Sequence, residues 1–309
     1  MKFKYKTIFV KSAKQILRIT RKGHISYSVP YKNYNQITKD LAKYARDNDI
    51  DQYVYAHILI TEKKGDEAFK IANKLTQKES VLGYFLLARM QFNGIFFEKD
   101  EEAAYKYYNK VLEIVPDFAP ALHVIAMKYI KSKKYKKAIE ILEKNAALGY
   151  SPSLIFLANA YDKGQYGLSI DYKKAFKFFK KAAPANSEAT VKLGIYYFNG
   201  YGCKTNFKKA KKCFDSCIKN NDSNAYYFAA LMNLSKDYPK ADILLAHDYA
   251  SKAAELGHSG AMGLYGSLIL KSSSSDPYLR KRGEEWIRKG ARNGAENAIR
   301  LAKEYNIDY

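Results

Sequence analysis

The sequence predicts an all-α chain: a right-handed α-solenoid of helix-turn-helix repeats over residues 34–309, ending in a capping helix, with a basic arm or short β-hairpin over residues 1–33. Three observations predict it. A small residue behind a mostly apolar or aromatic one recurs at Ala56, Ala88, Ala126, Ala158, Gly194, Ala230, Gly266 and Ala302, at intervals of 32, 38, 32, 36, 36, 36 and 36. A second small-residue series runs through Ala68, Ala104, Ala138, Ala175, Ala210, Ala246 and Gly283, spaced by 36, 34, 37, 35, 36 and 37. Two interleaved series of one period mean two helices per repeat, each offering a small residue where its neighbour's backbone must come close. Turn residues fall between the series: Asp66, Asp100, Asp171 and Asn206 stand ahead of the second helices as N-caps, and Gly149, Gly257 and Gly294 follow helical stretches as C-terminal turns.

The elements follow in order. No acidic residue precedes Asp40, whereas Lys4, Lys6, Lys11, Lys14, Arg18, Arg21 and Lys22, with Lys2, Lys32 and Lys39, supply ten positive charges. Ile16 to Thr20 and His24 to Val29 partly alternate apolar and polar residues around Arg21-Lys22-Gly23, the pattern of a short hairpin closed by Pro30. A basic amphipathic arm has almost the same pattern. From about Tyr34 onward, helix-length segments are joined by short turns, and the serines at 272 to 275 before Pro277 read as one more turn between helices.

Composition bounds the class. With 309 residues, 47% apolar and 15% aromatic, the chain has enough apolar surface to bury a core, which excludes a wholly disordered protein. Lys and Arg exceed Asp and Glu by 53 − 31 = +22, a bias that attracts acidic partners, nucleic acid or anionic membrane. Only 9 of those cations are Arg and 44 are Lys, a mobile point charge without the planar fork that reads phosphates and guanines. Drift toward lysine codons explains the same excess with no anionic ligand. The apolar stretch Thr7 to Val10 is too short for a secretory h-region, and the uncharged run Asn145 to Tyr161 is broken by Gly149 and Pro152, so a soluble chain is expected. Three clustered cysteines, Cys203, Cys213 and Cys217, do not form a distributed disulfide framework and point to a reducing cytoplasm.

Leu193-Gly194-x-x-Tyr197-x-x-Gly200-x-Gly202, followed by Asn206-x-x-Lys209-Ala210, resembles the Sel1-like branch of tetratricopeptide-type repeats. So does Leu157-Ala158-x-x-Tyr161-x-x-Gly164-x-x-Gly167 with Asp171-x-x-Lys174-Ala175-x-x-Phe178, and Lys252-Ala253-Ala254-Glu255-Leu256-Gly257-His258 is similar to that family's repeat ending. The resemblance covers roughly residues 50 to 309. It implies adaptor roles in assembling complexes and, in bacteria, neutralising or escorting effectors. Two departures stand out: the repeat anchored at Ala126 has Lys131-Ser132-Lys133-Lys134 in place of the glycine-bearing turn, and Pro184 interrupts the repeat that contains Ala175. Some members of the family bridge their helices with disulfides, but Cys213 and Cys217 lie one turn apart on a single predicted helix, which speaks against that variant here.

Catalysis has little support. His24, His57, His123, His247 and His258 are scattered, and no metalloprotease, paired-cysteine zinc, phosphate-loop or nucleophile-elbow motif occurs. Cys213 and Cys217 make at most half of a zinc site, so no metal and no cofactor are expected. In arrays of this kind the first helix of each pair lines the concave side. That assigns a partner-binding groove to Tyr53, His57, Phe85, Arg89, His123, Asn159, Asp162 and Tyr227. Phe92, Ile130, Phe198 and Leu234 lie in the same row, the last three reading as packing between repeats. The row is aromatic with few charges, which suits an extended peptide or a partner helix. Second helices carry the lysines, and the spacing of Lys173, Lys177 and Lys181 makes one basic surface stripe. The expected function is a non-enzymatic adaptor holding a protein segment, an acidic one by charge. Nucleic-acid binding through the basic arm and stripe is the alternative, and docking to an anionic membrane surface ranks below both.

Overall fold

The computed structural model describes residues 49–272 and 276–309, apart from the side chains of residues 50 and 51; the N-terminal arm or hairpin expected over 1–33 lies outside the described residues. Fifteen α-helices and no strands make up the described chain. They fall into two compact units, one reaching to Ile170 and one running from Asp171 to Tyr309.

The first unit holds α1 (Asp49–Thr61), α2 (Gly65–Gln77), α3 (Val81–Asn93), α4 (Glu101–Ile114), α5 (Ala119–Lys131), α6 (Tyr135–Ala147) and α7 (Ser151–Lys163). Each packs against the next, and α1 also meets α3. The second unit holds α8 (Tyr172–Ala182), α9 (Ser187–Asn199), α10 (Phe207–Ile218), α11 (Ser223–Leu234), α12 (Ile243–Glu255), α13 (Ser259–Ser272), α14 (Pro277–Arg292) and α15 (Glu296–Glu304), again packed in sequence order. Within it α15 rests on both α13 and α14. This is the α-solenoid of helix-turn-helix pairs that the interleaved series predicts.

Both series mark the packing contacts. Every alanine in them is fully buried, from Ala56 to Ala302 and from Ala68 to Ala246. Their glycines make the closest approach: a Cβ on Gly266 of α13 would lie 2.5 Å from the carbonyl oxygen of Gly283 on α14. Here the two series meet directly, and neither position has room for a side chain. Around these contacts the second helices are amphipathic, as in α8, where Ala175, Phe179 and Ala182 are buried while five lysines face outward.

The turns agree with the sequence in most places. Asp100, Asp171 and Asn206 accept hydrogen bonds from the backbone N–H groups of Ala103, Lys174 and Lys209 at 2.9 Å each. Asp66 does not cap: α2 starts one residue earlier, at Gly65, with Lys64 at the cap position, so Asp66 sits inside the first turn. There its charge still opposes the positive end of the helix dipole. Gly149, Gly257 and Gly294 take left-handed φ values of +81°, +89° and +76°. In the repeat without a glycine-bearing turn, Lys133 adopts φ +57° itself, a conformation that L side chains enter only at a cost.

Candidate partner-binding site

Arg89, one position beyond the anchor Ala88 on α3, organises the polar part of the first-helix face. Its Nη1 donates to the Tyr53 hydroxyl on α1 at 3.2 Å, across a sequence separation of 36 residues. One repeat period thus becomes one lateral step between neighbouring first helices. The guanidinium carbon lies 6.0 Å from the centre of the Phe85 ring one turn earlier. Phe85 in turn meets Tyr53 at 6.1 Å, Tyr108 of α4 at 6.0 Å and Phe118 at 5.0 Å between ring centres. Tyr53 and Phe85 are only 1% and 4% exposed. Both were expected to line a groove; in the folded unit they form the packed wall behind Arg89, because the bulk of each ring fills the space between repeats.

The electrostatics around Arg89 are unusual for a cation. Burial raises the pKa of the Tyr53, Tyr108 and Tyr150 hydroxyls, that of Tyr150 to about 12, while the Arg89 charge opposes the shift in all three. All three therefore stay protonated at neutral pH. His57, on the turn after Tyr53, is held below its ordinary value by burial and then by Arg89, so it stays neutral. His123 of α5 is pushed down to about 4 by burial alone. Its Nδ1 lies 2.9 Å from the Ser153 hydroxyl, which also accepts from Asn145 Nδ2 at 2.9 Å. Asn145 Nδ2 further donates to the carbonyl of Ala119, and His123 packs on Tyr150 with ring centres 5.5 Å apart.

Of the eight groove residues in the sequence reading, the structure brings Tyr53, His57, Phe85 and Arg89 together, and His123 joins them through Tyr150. Asn159 and Asp162 are partly exposed on α7 of the same unit. Tyr227 belongs to the second unit, where it stacks on His258 at 4.3 Å. Sequence reasoning missed Tyr108 and Asn145, which come from second helices, Tyr150 in a turn, and Ser153 at the start of the first helix α7. One signal was present: Arg89 is the single arginine between Arg46 and Arg280. In the basic stripe, Lys173, Lys177 and Lys181 are exposed on α8 and form no ion pair among the described residues. Lys4, Lys6, Lys11, Lys14, Arg18, Arg21 and Lys22 lie outside the described residues.

Among the described residues no group of three or more His, Cys, Asp or Glu side chains converges as a metal site. Cys203, Cys213 and Cys217 are free thiols, and burial raises Cys203 and pushes Cys213 up to about 11, away from thiolate reactivity.

Comparison with known proteins identifies the repeat. The Sel1 repeat family matches residues 81–110, 151–186, 187–222 and 223–258. The chain carries Sel1 repeats. The matches pass over residues 111–150, where Ser132 stands at the helix end that Gly94, Gly164 and Gly200 hold in three of the matched repeats. A Sel1-like repeat-containing protein of Schizosaccharomyces pombe is 25% identical over 174 residues, 51% of this chain and 26% of that protein. An exopolysaccharide production negative regulator of Rhizobium meliloti is 25% identical over 170 residues, 50% of this chain and 63% of that protein. An ERAD-associated E3 ubiquitin-protein ligase component of Arabidopsis thaliana is 32% identical over 105 residues, 34% of this chain and 16% of that protein. In each case the match spans less than two thirds of the relative's length. Among solved structures, an uropathogenic Escherichia coli antigen with this repeat fold superposes with a TM-score of 0.67 at 20% identity, covering 86% of this chain and 58% of that one. A Sel1 repeat protein of Oxalobacter formigenes gives 0.65 at 19% identity, covering 78% and 99%. These two likenesses establish the fold. Sel1-repeat chains serve in general as protein–protein interaction scaffolds and typically not as enzymes.

Proposed function

We propose that this chain is a non-enzymatic adaptor that holds a protein segment along the first-helix face of its N-terminal unit. The observation that carries the reading is the joining of successive first helices by Tyr53 and Arg89, with His57 beside them, into one polar patch set in an aromatic wall. A rigid wall with a few polar groups is what an extended chain or a helix needs for register and orientation. The net charge of +22 favours an acidic partner by accelerating its encounter, an effect that weakens with salt. The Arabidopsis relative, named as a component of a ligase assembly, is in keeping with an adaptor role. Three free thiols suit a reducing, cytoplasmic setting. Neither the family nor these relatives favour the nucleic-acid alternative.

The test is capture from host lysate followed by cross-linking and mass spectrometry, with nuclease-treated and untreated halves washed at low and high salt. A protein recovered in both halves and at high salt, with cross-links concentrated on α1, α3 and α5, is the expected result. Recovery lost with nuclease, or cross-links confined to the lysines of α8 and α10, would overturn the reading.

A further inference from the structure

The adaptor reading leaves open what feature of a partner the N-terminal unit recognises. We propose that Arg89 is the anchor for one carboxylate of the docked segment, held by the guanidinium fork with Tyr53, Tyr108, Tyr150 and His57 around it. This inference rests on the adaptor reading for its biological setting, but the site itself is argued from the groups present.

Arg89 is an exception in a chain that uses 44 lysines and 9 arginines, since no other arginine occurs from residue 47 to residue 279. It is half-buried, yet no carboxylate lies within ion-pair distance of it among the described residues. Every ion pair in the described chain joins other residues on the surface. Withdrawing a guanidinium from water without a counterion costs free energy, so an unpaired half-buried arginine is an unfinished interaction. Its one hydrogen bond to a side chain, to the Tyr53 hydroxyl, uses a single one of five N–H donors.

Among the described residues the surroundings supply no counterion and offer further donors. The Tyr108 and Tyr150 hydroxyls form no hydrogen bond among the described residues, although the Arg89 charge acts on both. All three tyrosines stay protonated, and both nearby histidines, His57 and His123, stay neutral. The site therefore presents one positive charge and several neutral donors, with no acceptor that carries charge.

Charge and shape then select the ligand. One guanidinium balances one negative charge, and its planar fork matches the two coplanar oxygens of a carboxylate. A phosphate dianion would bring a second negative charge that the single guanidinium does not balance. The carboxylate has two sources in a protein partner, an Asp or Glu side chain or the C-terminus of the chain.

Small probes test this on the full-length protein without a partner. Arginine Nε–Hε resonances of the labelled chain, which has nine arginines, are followed while N-acetylglycine, N-acetylglutamate amide, inorganic phosphate or chloride is added at matched ionic strength. The expected result is a saturating shift of the Arg89 resonance, assigned by its loss in Arg89→Gln, with at least one carboxylate probe and not with chloride. The probe that saturates at the lower concentration identifies a C-terminal or a side-chain source. Arg89→Lys, which keeps the charge without the fork, should bind at least ten-fold more weakly, read on the neighbouring Tyr53 and His57 signals. Tyr108→Phe should also weaken binding while leaving the circular dichroism spectrum unchanged. Carboxylates that act no more strongly than chloride, phosphate that saturates first, or Arg89→Lys that binds as well as the native chain would each overturn the proposal. None of these outcomes bears on whether a protein partner is captured, so failure here and failure of the adaptor reading are separately visible.

Discussion

Replacing Gly266 by Ala sets two physical effects of opposite sign against each other. Alanine is the better helix former by about 1 kcal/mol, so an open helical site would be stabilised. At Gly266 the added Cβ lies 2.5 Å from the Gly283 carbonyl oxygen, 2.7 Å from Ile287 Cγ1 and 3.0 Å from Ile287 N. The closest comfortable carbon–oxygen contacts are about 3.3 Å, so α13 and α14 must separate by roughly 0.8 Å. Two of the three obstacles are backbone atoms that no rotamer change can move, which puts the overpacking cost near the top of its range, about 3 kcal/mol. The net expectation is a loss of about 2 kcal/mol, or a midpoint lower by roughly 6 °C for a unit of this size. Trp286, the only tryptophan, sits on α14 with its ring centre 5.7 Å from that of Tyr265, so its fluorescence reports the same helix pair during thermal unfolding. Gly283→Ala should cost less, because its nearest obstacle at 2.9 Å is the flexible end of Leu270. The double variant should depart from additivity, since the two sites touch. A fluorescence midpoint for Gly266→Ala equal to or above that of the native chain would refute the close-approach argument.

Other perturbations address different layers of the fold. Phe85→Ala should destabilise the N-terminal unit by about 3–5 kcal/mol in urea unfolding followed by circular dichroism, because it removes a buried ring touching three others. Asp171→Ala should lower stability by about 1 kcal/mol through loss of the 2.9 Å cap to the Lys174 N–H, while Asp171→Asn should retain most of it. Lys133→Gly should raise the unfolding free energy in urea by about 1 kcal/mol, since it relieves a left-handed residue at φ +57°; an unchanged or lower value would contradict this. His123 gives a pH prediction. Its folded pKa of about 4 lies below the ordinary 6.5, so between those values the unfolded chain binds the extra proton and stability falls as the pH is lowered. The penalty is absent above pH 6.5, grows through the window and is complete near pH 4, at about 3 kcal/mol. Urea midpoints at pH 7 and pH 5 should therefore differ less for His123→Asn than for the native chain.

The fold was legible in the sequence because its determinants are local and repeated. Helix pairs stack only where a small residue lets backbones approach, so Ala56 to Ala302 and Ala68 to Gly283 appear as two periodic series before any coordinates are known. The caps at Asp100, Asp171 and Asn206 were legible for the same reason, since each acts within three residues of itself. Asp66 misled because a one-residue change in where a helix begins turns a cap into a first-turn residue.

The candidate site was legible only in part. Position along the first helices put Tyr53, His57, Phe85 and Arg89 in one groove row, but did not tell which of them face solvent. Burial depends on the combined volume of rings from four helices, and Tyr53 and Phe85 fill that volume while Arg89 borders it. Tyr108 and Asn145 reach the same region from second helices, Tyr150 from a turn and Ser153 from the first turn of α7, where no periodic signal marks them. The helix pairs, their period and most of their ends follow from residues near in the chain, because short-range sterics and hydrogen bonding set each of these. That a half-buried arginine stands among neutral hydroxyls and imidazoles with no counterion among the described residues emerged from the packing, because charge compensation depends on groups tens of residues apart in the chain.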